Sequence, residues 1–136
     1  AGNDDPVYAY ADVLLIYAEA ASRVNNGPTP QAIEAINQVR RRGYGRNPTS
    51  VSPVDFVLSN YNADSFLDLV IRERGYEFIY LGKRWLDLKR TGKLKAIIQE
   101  SKGISVVEKH LLWPIPVSEL NFNKALDPAK DQNLGY

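Results

Sequence analysis

The chain has 136 residues, 44% of them hydrophobic and 24% charged, which suits one globular domain with a sizeable core and excludes a disordered segment. Seventeen Lys and Arg against sixteen Asp and Glu leave a net charge of +1, without the basic excess of a dedicated nucleic-acid binder. Cysteine is absent and His110 is the single histidine, so disulfides, thiolate metal sites and a two-histidine zinc helix are ruled out, and neither a metal nor a cofactor is expected.

The first helix is predicted over about Asp5 to Asn25. Pro6 suits its first turn, and Val7, Tyr10, Ala11, Leu14, Ala18 and Ala21 recur in steps of three and four. Leu15, Ile16 and Tyr17 widen that stripe, so the helix is expected to be covered on two sides. Asn25-Asn26-Gly27-Pro28 stops it. Thr29 then caps a second helix with Pro30 in its first position and Gly43 at its end. Its apolar stripe is Ala32, Ile33, Ile36 and Val39. Glu34, Asn37, Gln38, Arg40, Arg41 and Arg42 are expected to face solvent, the arginines favouring the helix C-terminus. Together these make a helical hairpin over 5–43, the size of a tetratricopeptide-type unit.

A long loop over 43–62, rich in Gly, Pro, Ser and Asn, follows the hairpin. Loops of this length inside a domain usually serve function or an interface. Val54 to Leu58 is expected to make a short helical turn within it. Helices occupy 64–100. The first runs to about Leu81, capped by Asn62 or Asp64, and Gly82 and Gly92 break the run. Here the stripe Leu67, Val70, Ile71, Phe78 and Leu81 passes over Arg74. Charges in an apolar stripe must be paired or half-exposed. We therefore expect a structural charged cluster of Glu73, Arg74, Glu77, Arg84, Asp87 and Arg90 around the break at Gly82. An irregular tail fills 102–136, because Pro114 and Pro116 push their predecessors out of the helical region, with one helical turn over Pro116 to Leu120. The fold class is all-α: helical hairpins of tetratricopeptide-like, α/α-superhelix type plus an irregular C-terminal segment.

Three stretches resemble the C-terminal part of the SusD/RagB family of outer-membrane nutrient-binding lipoproteins. The first is Tyr10-Ala11-Asp12-Val13-Leu14-Leu15-Ile16-Tyr17-Ala18-Glu19-Ala20 with Ile36-Asn37-Gln38-Val39-Arg40 after it. The second is Glu73-Arg74 through Glu77-Phe78, then Gly82 to Arg90 with Arg84, Trp85, Asp87 and Leu88 in the family's places. The third is Leu112-Trp113-Pro114-Ile115-Pro116, closed by Gln132-Asn133-Leu134-Gly135-Tyr136. The chain departs from the family's pattern at Leu81, where Glu is usual, and at Leu134, where Pro is usual.

The resemblance implies a binding protein without catalytic residues. Its family captures oligosaccharides or other nutrients for a SusC-like TonB-dependent transporter at the extracellular face of the cell outer membrane. It also implies a lipid anchor and much of the ligand site in an N-terminal half that this chain lacks. The chain is thus read as an excised or processed piece of something longer, with that half as a partner. A helical-repeat scaffold for a peptide or protein is the alternative of another class.

Within the chain, the polar and aromatic residues suited to sugar hydroxyls and rings lie in the long loop: Tyr44, Arg46, Asn47, Asn60 and Tyr61. Trp85 and Trp113, flanked by aliphatics and prolines, are read as core aromatics, and His110 as structural. Glu73 and Glu77 stand one helical turn apart beside arginines. A glycosidase pair must flank a bond from two walls, so these carboxylates read as ion-pair partners.

Overall fold

A computed structural model describes residues 7–136. Helices are α1 Tyr10–Val24, α2 Pro30–Gly43, α3 Ala63–Glu77, α4 Lys83–Arg90, α5 Leu94–Lys102 and α6 Val117–Phe122, with 3-10 turns at Leu58–Asn60 and Glu108–Leu111. The described residues contain no strand. None of their helices is long and apolar enough to cross a membrane. The expected helix start at Asp5 and Pro6 lies outside the described residues. The chain divides into two compact units, one ending at Arg84 and the other spanning Trp85–Tyr136.

In the first unit α1, α2 and α3 share one core. Ala11, Leu15 and Ala18 of α1 meet Ala32, Ile33, Ala35, Ile36 and Val39 of α2, with Phe66, Leu69, Val70 and Phe78 completing the cluster. The alanines let the two hairpin helices approach closely, and the larger side chains of the third fill the trough above them. Asn26 takes a left-handed turn (φ 52°) and the Gly27 amide donates to the Ser22 carbonyl at 2.9 Å, which closes the hairpin. Thr29 accepts from the Ala32 amide at 3.1 Å, with Pro30 in the first turn as its fixed φ allows. α3 opens on a reciprocal cap. Asn62 Oδ1 accepts from the Ser65 amide and Ser65 Oγ accepts from the Asn62 amide, both at 2.9 Å.

Helix α2 ends at Gly43 as expected, and just beyond it Gly45 (φ 65°) adopts the left-handed conformation, so that the Arg46 amide reaches the Arg41 carbonyl at 2.8 Å. Other expectations about this unit change. Helix α3 ends at Glu77, four residues before the expected Leu81, because Tyr80 (φ 65°) turns left-handed before Gly82 does. The short turn in the loop forms at Leu58–Asn60 and not over Val54 to Leu58. The outer face of α1 also stays open: Tyr10, Val13, Ile16 and Tyr17 are exposed.

Beneath the core a second anchor ties the ends of α1 and α3 together. Asp12 is buried. Its carboxylate accepts from the Ala9 amide at 3.1 Å and from Lys83 Nζ at 2.5 Å, and Arg74 Nη2 lies 3.8 Å away. Lys83 Nζ and the Arg74 guanidinium both sit over the Phe78 ring, at 4.7 and 5.0 Å. Gly75 leaves room for the Arg84 guanidinium to lie on α3, where Nη1 donates to the Ile71 carbonyl at 2.6 Å; a Cβ at residue 75 would meet that nitrogen at 2.9 Å.

The second unit buries Leu88, Leu94 and Leu120. Its tail is held by polar bonds more than by packing. Gln132 exchanges two hydrogen bonds with the Ile115 backbone, at 2.8 and 3.1 Å. Asn133 Nδ2 donates to the Trp113 carbonyl at 2.6 Å, and the Tyr136 hydroxyl donates to the carbonyls of Lys109 and Leu112, both at 3.1 Å. The two halves of the third motif therefore bind each other. Trp113, expected in the core, is 78% exposed and Trp85 39% exposed. Pro114 and Pro116, which follow Trp113, hold its segment extended, and the tail grips its backbone and leaves its ring in solvent. His110 is exposed, and its Nδ1 accepts from the Val107 amide at 3.2 Å.

Candidate functional site

The last turn of α2 carries three consecutive arginines, and each does something different. Arg41 is 2% exposed, although the helix pattern places it on the open face. All five of its guanidinium hydrogens are used. Nε and Nη2 donate to Asp55 Oδ1 and Oδ2 at 2.7 and 2.5 Å. Nη1 and Nη2 donate to Glu34 Oε1 and Oε2 at 2.8 and 3.0 Å, and Nη1 also reaches the Pro48 carbonyl at 2.9 Å. The paired carboxylates raise the Arg41 pKa further above its ordinary value, and the Arg41 guanidinium holds the Asp55 carboxyl below the usual aspartate range.

Asn37, also expected outside, is buried for the same reason. Its side chain donates to the Phe56 carbonyl at 3.0 Å and accepts from the Phe56 amide at 2.8 Å. Arg40 Nε donates to the Val54 carbonyl at 2.5 Å, while its guanidinium lies over the Phe56 ring at 4.1 Å and the Tyr44 ring at 4.9 Å. The long loop is thus clamped to α2 through Pro48, Val54, Asp55 and Phe56. It covers the helix face that sequence periodicity assigns to solvent.

A cleft of 290 Å³ lies between the end of α2, with Tyr44 just beyond it, and α3. Tyr44 and Tyr76 flank it, 59% and 67% exposed, and Arg40, Glu73 and Glu77 supply charge. Arg40 Nη1 lies 3.5 Å from Glu73 Oε1, and Arg42 pairs with Glu77. Glu73 is buried on α3, and that burial pushes its carboxyl pKa up, against the pull of Arg40. Both carboxylates project from one helix into the same wall.

The sequence candidates fall at different places. Tyr44 lines the cleft. Arg46 and Asn47 are exposed on the adjoining turn, where Asn47 Oδ1 accepts from the Thr49 amide and hydroxyl at 3.0 and 2.9 Å. Asn60 is exposed at the far end of the loop, and Tyr61 is half-buried, its ring edge-on to Phe56 and Phe66 at 5.9 and 6.3 Å. Of the charged residues, Arg74 faces Asp12, Arg84 bonds the Ile71 carbonyl, and Arg90 pairs with Asp87 at 2.9 Å. Tyr76 was not singled out from sequence. Its signal was there: it stands between Glu73 and Glu77 on α3, outside the apolar stripe.

Comparison with known proteins fits this architecture. The SusD family model matches residues 1–136. The chain belongs to the SusD family. SusD-like protein P38 of Formosa agariphila is 32% identical over 130 residues, 96% of this chain and 24% of that protein. SusD-like protein P2 of the same organism is 32% identical over 135 residues, 93% of this chain and 25% of the relative. A crystal structure of a SusD homolog from Bacteroides thetaiotaomicron superposes with a TM-score of 0.68 at 38% identity, covering 82% of this chain and 24% of the homolog. A SusD superfamily protein from Parabacteroides distasonis gives 0.67 at 34% identity, covering 96% and 27%. The chain spans about a quarter of the length of these SusD relatives.

Proposed function

We propose that the chain is the C-terminal portion of a SusD-type protein that captures oligosaccharides or related nutrients at the outer face of the outer membrane. In this reading it acts without catalysis, delivers to a SusC-like TonB-dependent transporter, and is tethered by lipid through an N-terminal portion outside this chain. The match of the SusD family model to residues 1–136 carries the proposal. The cleft adds chemistry in keeping with it. Two tyrosine rings offer apolar faces to a sugar, and Arg40, Glu73 and Glu77 offer charged hydrogen-bonding partners for hydroxyls. Arg46 and Asn47 extend those partners along the neighbouring turn, while Asn60 and Tyr61 serve the other end of the loop.

The open face of α1, with Tyr10, Val13, Ile16 and Tyr17, takes the N-terminal portion of the same polypeptide in this reading. A glycan array on the full-length protein, followed by calorimetric titration of the best glycan, tests the proposal. Tyr44→Ala and Tyr76→Ala are expected to weaken binding about ten-fold, the loss of one good stacking contact, with an unchanged melting temperature. Unaltered affinity in both variants would remove the cleft from the site. Absence of any glycan or nutrient ligand would remove the function.

A further inference from the structure

The charges at the cleft come in matched pairs that reach across from facing helices. Arg40 of α2 stands opposite Glu73 of α3, and Arg42 of α2 pairs with Glu77 of α3. Arg72, next to Glu73 in sequence, is exposed and does not line the cleft, and Arg74 faces Asp12. The two pairs therefore sum to zero charge, with both signs fixed in the walls.

The Arg40–Glu73 pair has bonding capacity left over. Arg40 Nε is spent on the Val54 carbonyl at 2.5 Å, and the guanidinium lies over the Phe56 and Tyr44 rings, which fixes its plane. Nη1 reaches Glu73 Oε1 only at 3.5 Å, long for a charge-assisted bond. Arg40 Nη2 and Glu73 Oε2 have no hydrogen-bond partner among the described residues. A fixed donor and a fixed acceptor thus stand side by side, each with room for a further bond.

A sugar hydroxyl both donates and accepts. Two hydroxyls on adjacent ring carbons take one bond from Arg40 and give one to Glu73, and the charges stay balanced. A sugar carboxylate satisfies Arg40 but sets a second negative charge beside Glu73 and Glu77. An ammonium group satisfies the glutamates but sets a second positive charge beside Arg40. The Arg40 and Glu73 side chains are 22% and 8% exposed, so water and salt screen little of the added charge. The cleft's 290 Å³ is at the lower end of the roughly 300–1,000 Å³ of small-molecule sites, which leaves a charged group little room to stand clear of all three lining charges.

We propose that the cleft is a charge filter: it admits neutral sugar units and turns away those that carry a carboxylate or an ammonium group. This deepens the glycan-capture reading by naming its substrate class, and rests on it.

The test uses the full-length protein and the best neutral hexose oligosaccharide of a glycan array, titrated calorimetrically at pH 7 in three forms: unmodified, with a primary hydroxyl oxidised to a carboxylate, and with a primary hydroxyl replaced by an amine. The neutral form is expected to bind about 30-fold more tightly than either charged form. Glu73→Gln keeps the shape of the side chain, removes one negative charge and leaves Arg40 unopposed. In that variant the carboxylate form is expected to gain about ten-fold in affinity and the amine form to weaken further. A merely structural role for Glu73 would move all three forms alike. Equal affinity of the three forms, an array led by uronates or amino sugars, or a carboxylate form that gains nothing from Glu73→Gln overturns the filter and leaves glycan capture standing. Binding of no glycan at all overturns both.

Discussion

Replacing Arg41 by Met tests whether one buried guanidinium organises the loop. The new side chain keeps an apolar stem but donates nothing, so all five hydrogen bonds are lost. The partners left behind differ. The Glu34 carboxylate is 46% exposed and rehydrates; the Asp55 carboxylate is 13% exposed and keeps only the Ser52 amide, at 3.1 Å, among its other close donors. Removing one partner of a buried pair costs about 3–5 kcal/mol, and the rehydrated Glu34 puts this case near about 3 kcal/mol. That is a large fraction of the roughly 5–15 kcal/mol by which a domain is stable.

Urea unfolding followed by far-ultraviolet circular dichroism reads the loss directly. It has a pH signature. Asp55 is held below the usual aspartate range in the folded state, so its contribution is complete at neutral pH. The contribution shrinks as pH falls into that range and is gone below the depressed folded value. The variant should lose this acid-dependent component along with the stability. A cost under about 1 kcal/mol, or an acid profile identical to that of the unmodified chain, would show that the node is ornamental and that packing holds the loop.

Three further outcomes follow from neighbouring observations. Asn37→Ala leaves the Phe56 amide and carbonyl without their partners and should cost about 1–3 kcal/mol, with faster hydrogen exchange at Phe56; unchanged exchange would contradict the clamp. Glu73→Gln should be neutral or slightly stabilising at pH 7, within about 0.5 kcal/mol, because burial raises the folded pKa and makes the ionised form a cost that falling pH relieves; a loss above about 1.5 kcal/mol would mean that the Arg40 contact dominates. Trp113→Ala in this chain should cost under about 1 kcal/mol by thermal melting, since the indole is in solvent, and a cost of about 3 kcal/mol or more would restore it to a core.

The hairpin was legible in the sequence because its signals are local. Thr29-Pro30 starts a helix by chemistry that needs no tertiary partner, and the apolar steps of α2 name its buried face correctly. What was not legible depends on residues far along the chain. Arg41 and Asn37 look solvated until Asp55 and Phe56, fourteen and nineteen residues later, are brought over them. The end of α3 was misplaced because Tyr80 turns left-handed, a conformation that residue type does not advertise. Trp113 was misassigned because apolar neighbours in sequence are not neighbours in space once prolines straighten the chain. At the candidate site, loop composition alone points to Tyr44, which lines the cleft, whereas Tyr76 stands on a helix between Glu73 and Glu77, where the spacing of the charges is the stronger pattern.

The clamps on the loop divide it into fixed and unfixed parts. Residues 48 and 54–56 are bonded to α2, and between them Thr49, Ser50 and Val51 stand exposed at the tip, joined to the anchors mainly by short turns. Chain length and side chains at the tip can therefore change while Arg41 goes on holding both feet of the arch in place. Thr49 belongs to this tip and also lines the hollow between the start of α1, the end of α2 and Pro48. In a scaffold built this way, variation of the exposed surface and variation that endangers folding fall on different residues, a few positions apart.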